Sequence, residues 1–261
     1  MNPIYYDYYY YYQQGCNLGQ QAIQAEMTQN FPVAANLYAQ TIEQIKHSIS
    51  IARQVGQFVS GYVYYSLGFT YFRAALMQTT LGFQELAPNY LTDSLANVNQ
   101  AIALNPNFFQ YHSLAGEILL AQGNTVEAQK AFSFALQLNP MDAKSSWMLS
   151  FLYSARQQTA MANQYYQKAH QIQPDAPPIP SNLGKTSGSN WLDIIVQVST
   201  IIKNLSPSPV TIYNSNSQQG NSSTMSNVTQ THSGSGDNVA TSEIQIFLAH
   251  ASEVVCGMSG V

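Results

Sequence analysis

FQYHSLAGEILLAQGNTVEAQKAFSFALQLNPMD, residues 109–142, decides how this chain is built. Apolar residues recur at spacings of three and four on either side of Gly123-Asn124, so the stretch reads as two helices joined by a tight turn. It closes on Asn139-Pro140. Proline cannot continue a helix, and it pushes the residue before it toward extended backbone. The same punctuation recurs at Asn105-Pro106 and Gln173-Pro174, so the prolines stand 34 residues apart, twice. Each follows a helical run of similar texture: QAIALNP, FALQLNP and KAHQIQP. A fixed period of this length marks a solenoid, in which no hairpin buries its apolar face alone and neighbours must stack.

Within the period, positions are filled in register. Counting Phe109 as the first, Ala115 and Gly116 fall at seven and eight, Leu119 at eleven, Ala128 at twenty, Phe132 at twenty-four, Ala135 at twenty-seven and Pro140 at thirty-two. Unit 143–176 repeats this with Leu149, Ser150, Tyr153, Ala162, Tyr166, Ala169 and Pro174. Small residues let two helices cross closely, aromatics fill the gap they leave, and glycine at the turn permits the reversal. These positions resemble the signature of the tetratricopeptide repeat family, with Ala115 a departure, since the family usually carries a larger apolar residue there.

Upstream the pattern is stretched. GYVYYSLGFTYFRAAL places Leu67, Gly68 and Tyr71 at first-helix spacing, but its partner, SLANVNQAIALNP, arrives about a dozen residues late. The expected cause is a first helix lengthened to about Glu85 and a loop at Ala87-Pro88-Asn89. Residues 17–54 read as another helical pair broken at Phe31-Pro32, with Pro32 in the first turn of a helix running to about Arg53. The expected fold is therefore all-α, a tetratricopeptide-like solenoid of about four hairpins over residues 16–176.

In the family that this chain resembles, the first helix of each hairpin lines an inner groove. The resemblance implies Tyr62, Tyr65, Phe69, Phe72 and Arg73 from the hairpin at 61, Gln110, Ser113, Glu117 and Leu120 from that at 109, and Lys144, Trp147 and Phe151 from that at 143. This set is aromatic and nearly uncharged, which suits an apolar or amphipathic segment of a partner. The cluster of Lys, Asn and Arg with which some family members grip a chaperone's C-terminal carboxylate is absent. Two outcomes stay open: the aromatics bind a partner, or they pack internally against the first helices or the helix near 191.

Composition narrows the function further. Charged residues make up 8% of the 261, against about a quarter in typical domains. The nine basic residues form no stripe, which argues against nucleic-acid binding. Cys16 and Cys256 have neither metal nor disulfide-framework spacing. The five histidines are scattered, and no nucleophile–base set, paired-carboxylate site or phosphate loop is visible, so neither enzymatic activity nor a cofactor or metal is expected. No signal peptide or membrane span is visible, which gives a cytoplasmic, non-membrane expectation. The sequons at Asn204, Asn221 and Asn227 matter only to a secreted chain.

The flanks differ from the repeat. Residues 1–15 carry Tyr5, Tyr6 and Tyr8 to Tyr12 and read as a low-complexity disordered tail, with self-association as the alternative. Residues 177–190 are a Pro-, Gly- and Ser-rich linker. WLDIIVQVSTIIKNL, 191–205, reads as an amphipathic helix with a stripe of Ile194, Ile195, Val198, Ile201 and Ile202. Asn190 suits its cap, and the helix is expected to close the open end of the solenoid. Residues 206–241 are polar and expected to be disordered. SEIQIFLAHASE, 242–253, resembles the opening of a TIR (Toll/interleukin-1 receptor) domain. There Ile244 to Leu248 would be the first strand and Ala249 to Glu253 the start of a loop near the nucleotide site. Residues 242–261 are expected to carry that strand alone, unpaired, and the change after Glu253 suggests a truncated or shifted reading frame.

The combined expectation is a protein–protein interaction scaffold or sensor module with a protein or peptide partner. The alternatives are the regulatory part of a TIR-type NAD-cleaving signalling protein and a self-assembling structural protein.

Overall fold

A computed structural model describes residues 3–179 and 191–202, with side chains placed for 8–179 and 191–199. The helices are α1 (Pro3–Met27), α2 (Phe31–Gln54), α3 (Gly61–Thr80), α4 (Ala87–Leu104), α5 (Phe109–Ala121), α6 (Thr125–Leu138), α7 (Ala143–Ala155), α8 (Thr159–Ile172) and α9 (Trp191–Ile202). Among the described residues there is no strand. α1 to α8 pair into four hairpins, and each hairpin stacks on the next through α2 on α3, α4 on α5 and α6 on α7. The expected all-α, tetratricopeptide-like solenoid is the observed fold.

The repeat's physics is visible at the eighth position of each unit. A Cβ on Gly116 would lie 2.7–2.8 Å from the ring of Phe132, so glycine makes room for that aromatic. Gly68 sits against Val98 and the backbone of α4, and its carbonyl accepts a bond from Ser94 Oγ at 2.6 Å. Ser150 occupies the equivalent place in the last hairpin, where its hydroxyl donates to the Ala162 carbonyl at 2.7 Å. At positions twenty and twenty-seven Ala128, Ala135, Ala162 and Ala169 are buried, as close crossing requires. The turn residue Gly123 has φ of 82°. Gln157 takes its place one unit later at φ 60°, a conformation that costs a residue with a Cβ about 1 kcal/mol or more.

A methyl group at residue 68 would come within 2.6 Å of Val98 Cγ2, 3.0 Å of the Ser94 carbonyl oxygen and 3.2 Å of the Val98 nitrogen. The side chain can turn away, but the two backbone atoms cannot. Gly68→Ala is therefore expected to lower stability by about 1–3 kcal/mol. Adding Val98→Ala should return only part of the loss in urea unfolding; full recovery would mean that the backbone had yielded.

Three expectations need correction. The tyrosine-rich tail is not disordered from residue 3 onward: it is the first half of α1. Tyr12, Gly15, Cys16, Gly19 and Ala22 share one buried stripe at helical spacing. Gly15 and Gly19 face Ile45 and Thr41 of α2, which lets the two long helices close up. Ser48 Oγ donates to the Tyr8 carbonyl at 2.9 Å and Tyr11 meets His47 edge-on at 4.3 Å, so α2 holds the tyrosine segment down. Second, α3 ends at Thr80, not near Glu85. Third, Ala87-Pro88-Asn89 is the opening of α4, not a loop, since proline in a first turn forfeits no helical bond. The late arrival of the partner helix reflects two long helices, of 20 and 18 residues, where the regular units have 13 and 14.

Candidate protein-interaction groove

The first helices of the hairpins, α1, α3, α5 and α7, are joined side by side by contacts that the sequence does not announce. Between α1 and α3, the Arg73 guanidinium binds the Glu26 carboxylate, which also accepts from Tyr38 Oη at 2.8 Å. Tyr12 and Ser66 share a buried hydroxyl bond at 3.2 Å. Between α3 and α5, the rings of Tyr65 and Tyr111 stack at 5.0 Å; Tyr62 flanks the first and Phe108 the second. Between α5 and α7, Lys144 Nζ lies 2.7 Å from Glu117 Oε1, and Ser145 Oγ donates to Ser113 Oγ at 3.1 Å.

The residues named from sequence thus divide by role. Tyr62, Tyr65 and Phe69 are half-buried on α3, and Phe72 is fully buried in the core. Arg73, Glu117 and Lys144 are engaged in ion pairs between neighbouring helices. Gln110 is half-buried. Ser113 and Leu120 are buried. Trp147 and Phe151 are buried and stacked on each other at 6.0 Å. Sequence reasoning missed Glu26, Phe108 and Tyr111. The first lay in a helix with no repeat register, and the other two sit at the start of α5, outside the positions carried over from the family.

α9 does not cap the end of the solenoid beside α8. It packs mainly on α5 and α3. Trp191 sets its ring edge against Phe151 of α7 at 6.4 Å and also approaches Gly123. Gln84 Nε2 donates to Asp193 Oδ1 at 3.4 Å. Leu192, Ile194, Ile195 and Val198 are buried; the expected stripe residues Ile201 and Ile202 have side chains outside those described. Trp147 Nε1 donates to the Pro177 carbonyl at 2.7 Å, which fixes the chain leaving α8. The reason α9 lies here is its pattern: four aliphatic residues need apolar partners, and the polar outer face of α8 offers few.

Burial shapes the titratable groups. The Cys16 thiol is pushed up to about 11 by burial, against an opposing hydrogen bond with Tyr12, so it is not a thiolate at neutral pH. Burial raises the Tyr12, Tyr62 and Tyr111 hydroxyls well above their ordinary range. Asp142, at the start of α7, is raised by burial; Ser145 and Lys144 counter this in part, and Glu117 adds to it. Its Oδ2 is buried without a hydrogen bond. A carboxyl raised in the folded state favours folding at low pH and loses that advantage as pH rises through its folded value. Asp142→Asn is accordingly expected to be more stable than the parent at pH 7, with the gap closing toward pH 4. A gap that does not change with pH in thermal melts would refute the role of its charge. Among the described residues no cluster could hold a metal ion, and no helix is long and apolar enough to cross a membrane.

No protein-family model matches the chain, and no curated protein does. Solved structures with a likeness to it include YrrB, described as a TPR protein with an unusual peptide-binding site, at 20% identity over 56% of this chain and 68% of that chain, TM-score 0.40. MamA is another, at 14% identity over 59% of this chain and 94% of that chain, TM-score 0.38.

Proposed function

We propose that the chain is a protein-interaction scaffold whose inner groove holds an amphipathic, weakly charged helical segment of a protein partner. The observation that supports this most is α9 itself, an aliphatic helix seated against the first helices of three hairpins. The charged residues of that face, Arg73, Glu117 and Lys144, are already paired within the scaffold, so recognition falls to aromatic and aliphatic contact. The groove residues that would carry it are Tyr62, Tyr65 and Phe69, with Phe151 at the far end.

Both tryptophans of the chain meet Phe151 of this face, Trp147 from the core and Trp191 from α9, so intrinsic fluorescence reports on it. Tryptophan-free amphipathic helical peptides with an uncharged stripe are expected to shift the emission saturably, in the high-micromolar range or tighter, and Phe69→Asp to abolish the shift. A panel of such peptides that leaves the emission unchanged at millimolar concentration would count against the proposal.

A second reading rests on SEIQIFLAHASE, which lies outside the described residues: the scaffold would then be the sensing part of a TIR-type signalling protein. Incubating the chain with NAD separates catalysis from binding, and undiminished NAD would rule out cleavage by this chain.

A further inference from the structure

We propose that α9 is a built-in, releasable occupant of the groove, and that an external partner helix with the same aliphatic pattern binds by taking its place. This deepens the scaffold reading and rests on it.

Three observations carry the inference. The first is position. α9 lies on the inner helices of hairpins that precede it by about 50 to 130 residues, leaving the exposed side of α8 to solvent. A helix whose purpose was to seal the array would cover α8 instead.

The second is independence of the scaffold. Neighbouring inner helices are joined without α9, by Glu26–Arg73, Tyr65–Tyr111, Glu117–Lys144 and Ser113–Ser145, and each inner helix is backed by its hairpin partner. Departure of α9 exposes apolar surface and leaves the Glu26–Arg73 and Glu117–Lys144 pairs intact, since neither involves α9. Its hydrogen bond from Gln84 is exposed and long at 3.4 Å, and so readily exchanged for water.

The third is the way α9 is held. It has 12 residues, and helices shorter than about 12–15 residues are marginal alone in water. Its order is therefore supplied by the groove. The chain that precedes α9 is held at Pro177 by Trp147, a contact that involves no residue of α9. An occupant joined to the same chain competes intramolecularly, so a free partner binds at a disadvantage until α9 is displaced.

The pattern on α9 specifies the partner. It is a helix with an aromatic residue followed by aliphatic residues one, three, four and seven places on, as Trp191, Leu192, Ile194, Ile195 and Val198 are arranged. An acid in its first turn is favourable, as Asp193 is here, and basic residues along the stripe would compete for Glu26 and Glu117 with Arg73 and Lys144, which already hold them.

The test uses the full chain and a fluorescein-labelled peptide of residues 191–205. In one form Ile195→Asp expels α9; in another Gln84→Cys and Asp193→Cys are joined by a short bis-maleimide on a Cys256→Ser background, closing the groove. Cys16 is buried and stays unmodified. The peptide is expected to bind the Ile195→Asp chain at least about tenfold more tightly than the parent, and the cross-linked chain at least about tenfold more weakly than the same chain before cross-linking. Equal binding by all forms, abolished by Phe69→Asp, would leave the groove a binding site and overturn α9 as its occupant. No binding by any form, the opened one included, would overturn the scaffold reading and this inference with it. Should Ile195→Asp lose its helical circular dichroism, the cross-linked pair decides alone, because it removes no packing from the core.

Discussion

Trp147→Ala is expected to lower the unfolding free energy by about 3–5 kcal/mol, the range for deleting a buried tryptophan. Trp147 is fully buried and lies flat on Phe151, with 11° between the rings. Its indole nitrogen holds the Pro177 carbonyl at 2.7 Å. Truncation thus removes a large apolar volume, leaves Phe151 without its stacking partner and strands a carbonyl at the start of the connector. Trp147→Phe keeps much of the packing but not the donor, and should cost less, about 1–2 kcal/mol for the hydrogen bond. Because Phe151 in turn supports Trp191, the emission of Trp191 in Trp147→Ala should move to the red before the hairpins unfold. Urea titration followed by both circular dichroism and fluorescence measures the two effects. Coincident curves with a loss under 1 kcal/mol would show that residue 147 is peripheral.

The second large effect concerns charge. Lys144→Ala is expected to cost about 3–5 kcal/mol, because it leaves an uncompensated charge buried. The Glu117 side chain is 7% exposed and accepts from Lys144 at 2.7 Å; Asp142, also buried, faces the same pair. Without the ammonium, two carboxylates share a dry site. Glu117→Ala should cost less, because the Lys144 side chain is 25% exposed and its head can turn to water. Replacing both with apolar residues, Lys144→Met with Glu117→Leu, is expected to fall closer to the parent than Lys144→Ala alone. Equilibrium unfolding at pH 7 orders the three variants; Glu117→Ala proving the costliest would reverse the assignment of which charge is trapped.

What could be read from the letters follows from how far apart the interacting residues are. The hairpins at 109 and 143 were legible because their crossing residues, Gly116 with Phe132 and Ser150 with Ala162, lie within one unit and repeat in register. α1 was misread because a run of tyrosines hides its own periodicity. Only the contact with α2, 22 to 40 residues on, shows that Tyr12 belongs with Cys16 and Ala22. The start of α4 was misread because Pro88 serves equally as a loop signal and as a first-turn residue. At the groove, aromatic type was legible but not orientation. Arg73 and Lys144 look like ligand-facing cations until Glu26 and Glu117 are found beside them, and Glu26 lies 47 residues before Arg73. The amphipathic pattern of α9 was plain; its place was not, because pattern says that a face must be covered and not by what.

That place has a consequence for how the molecule melts. In a stack where each hairpin meets only its neighbours, the ends can fray while the middle holds, so loss of structure is gradual along the array. α9 ties α3 to a segment more than a hundred residues later in the chain. While α9 is seated it couples hairpins that would otherwise meet only their neighbours, which sharpens the transition. A ligand that draws α9 away would therefore announce itself calorimetrically as a broader endotherm, even where the midpoint barely moves.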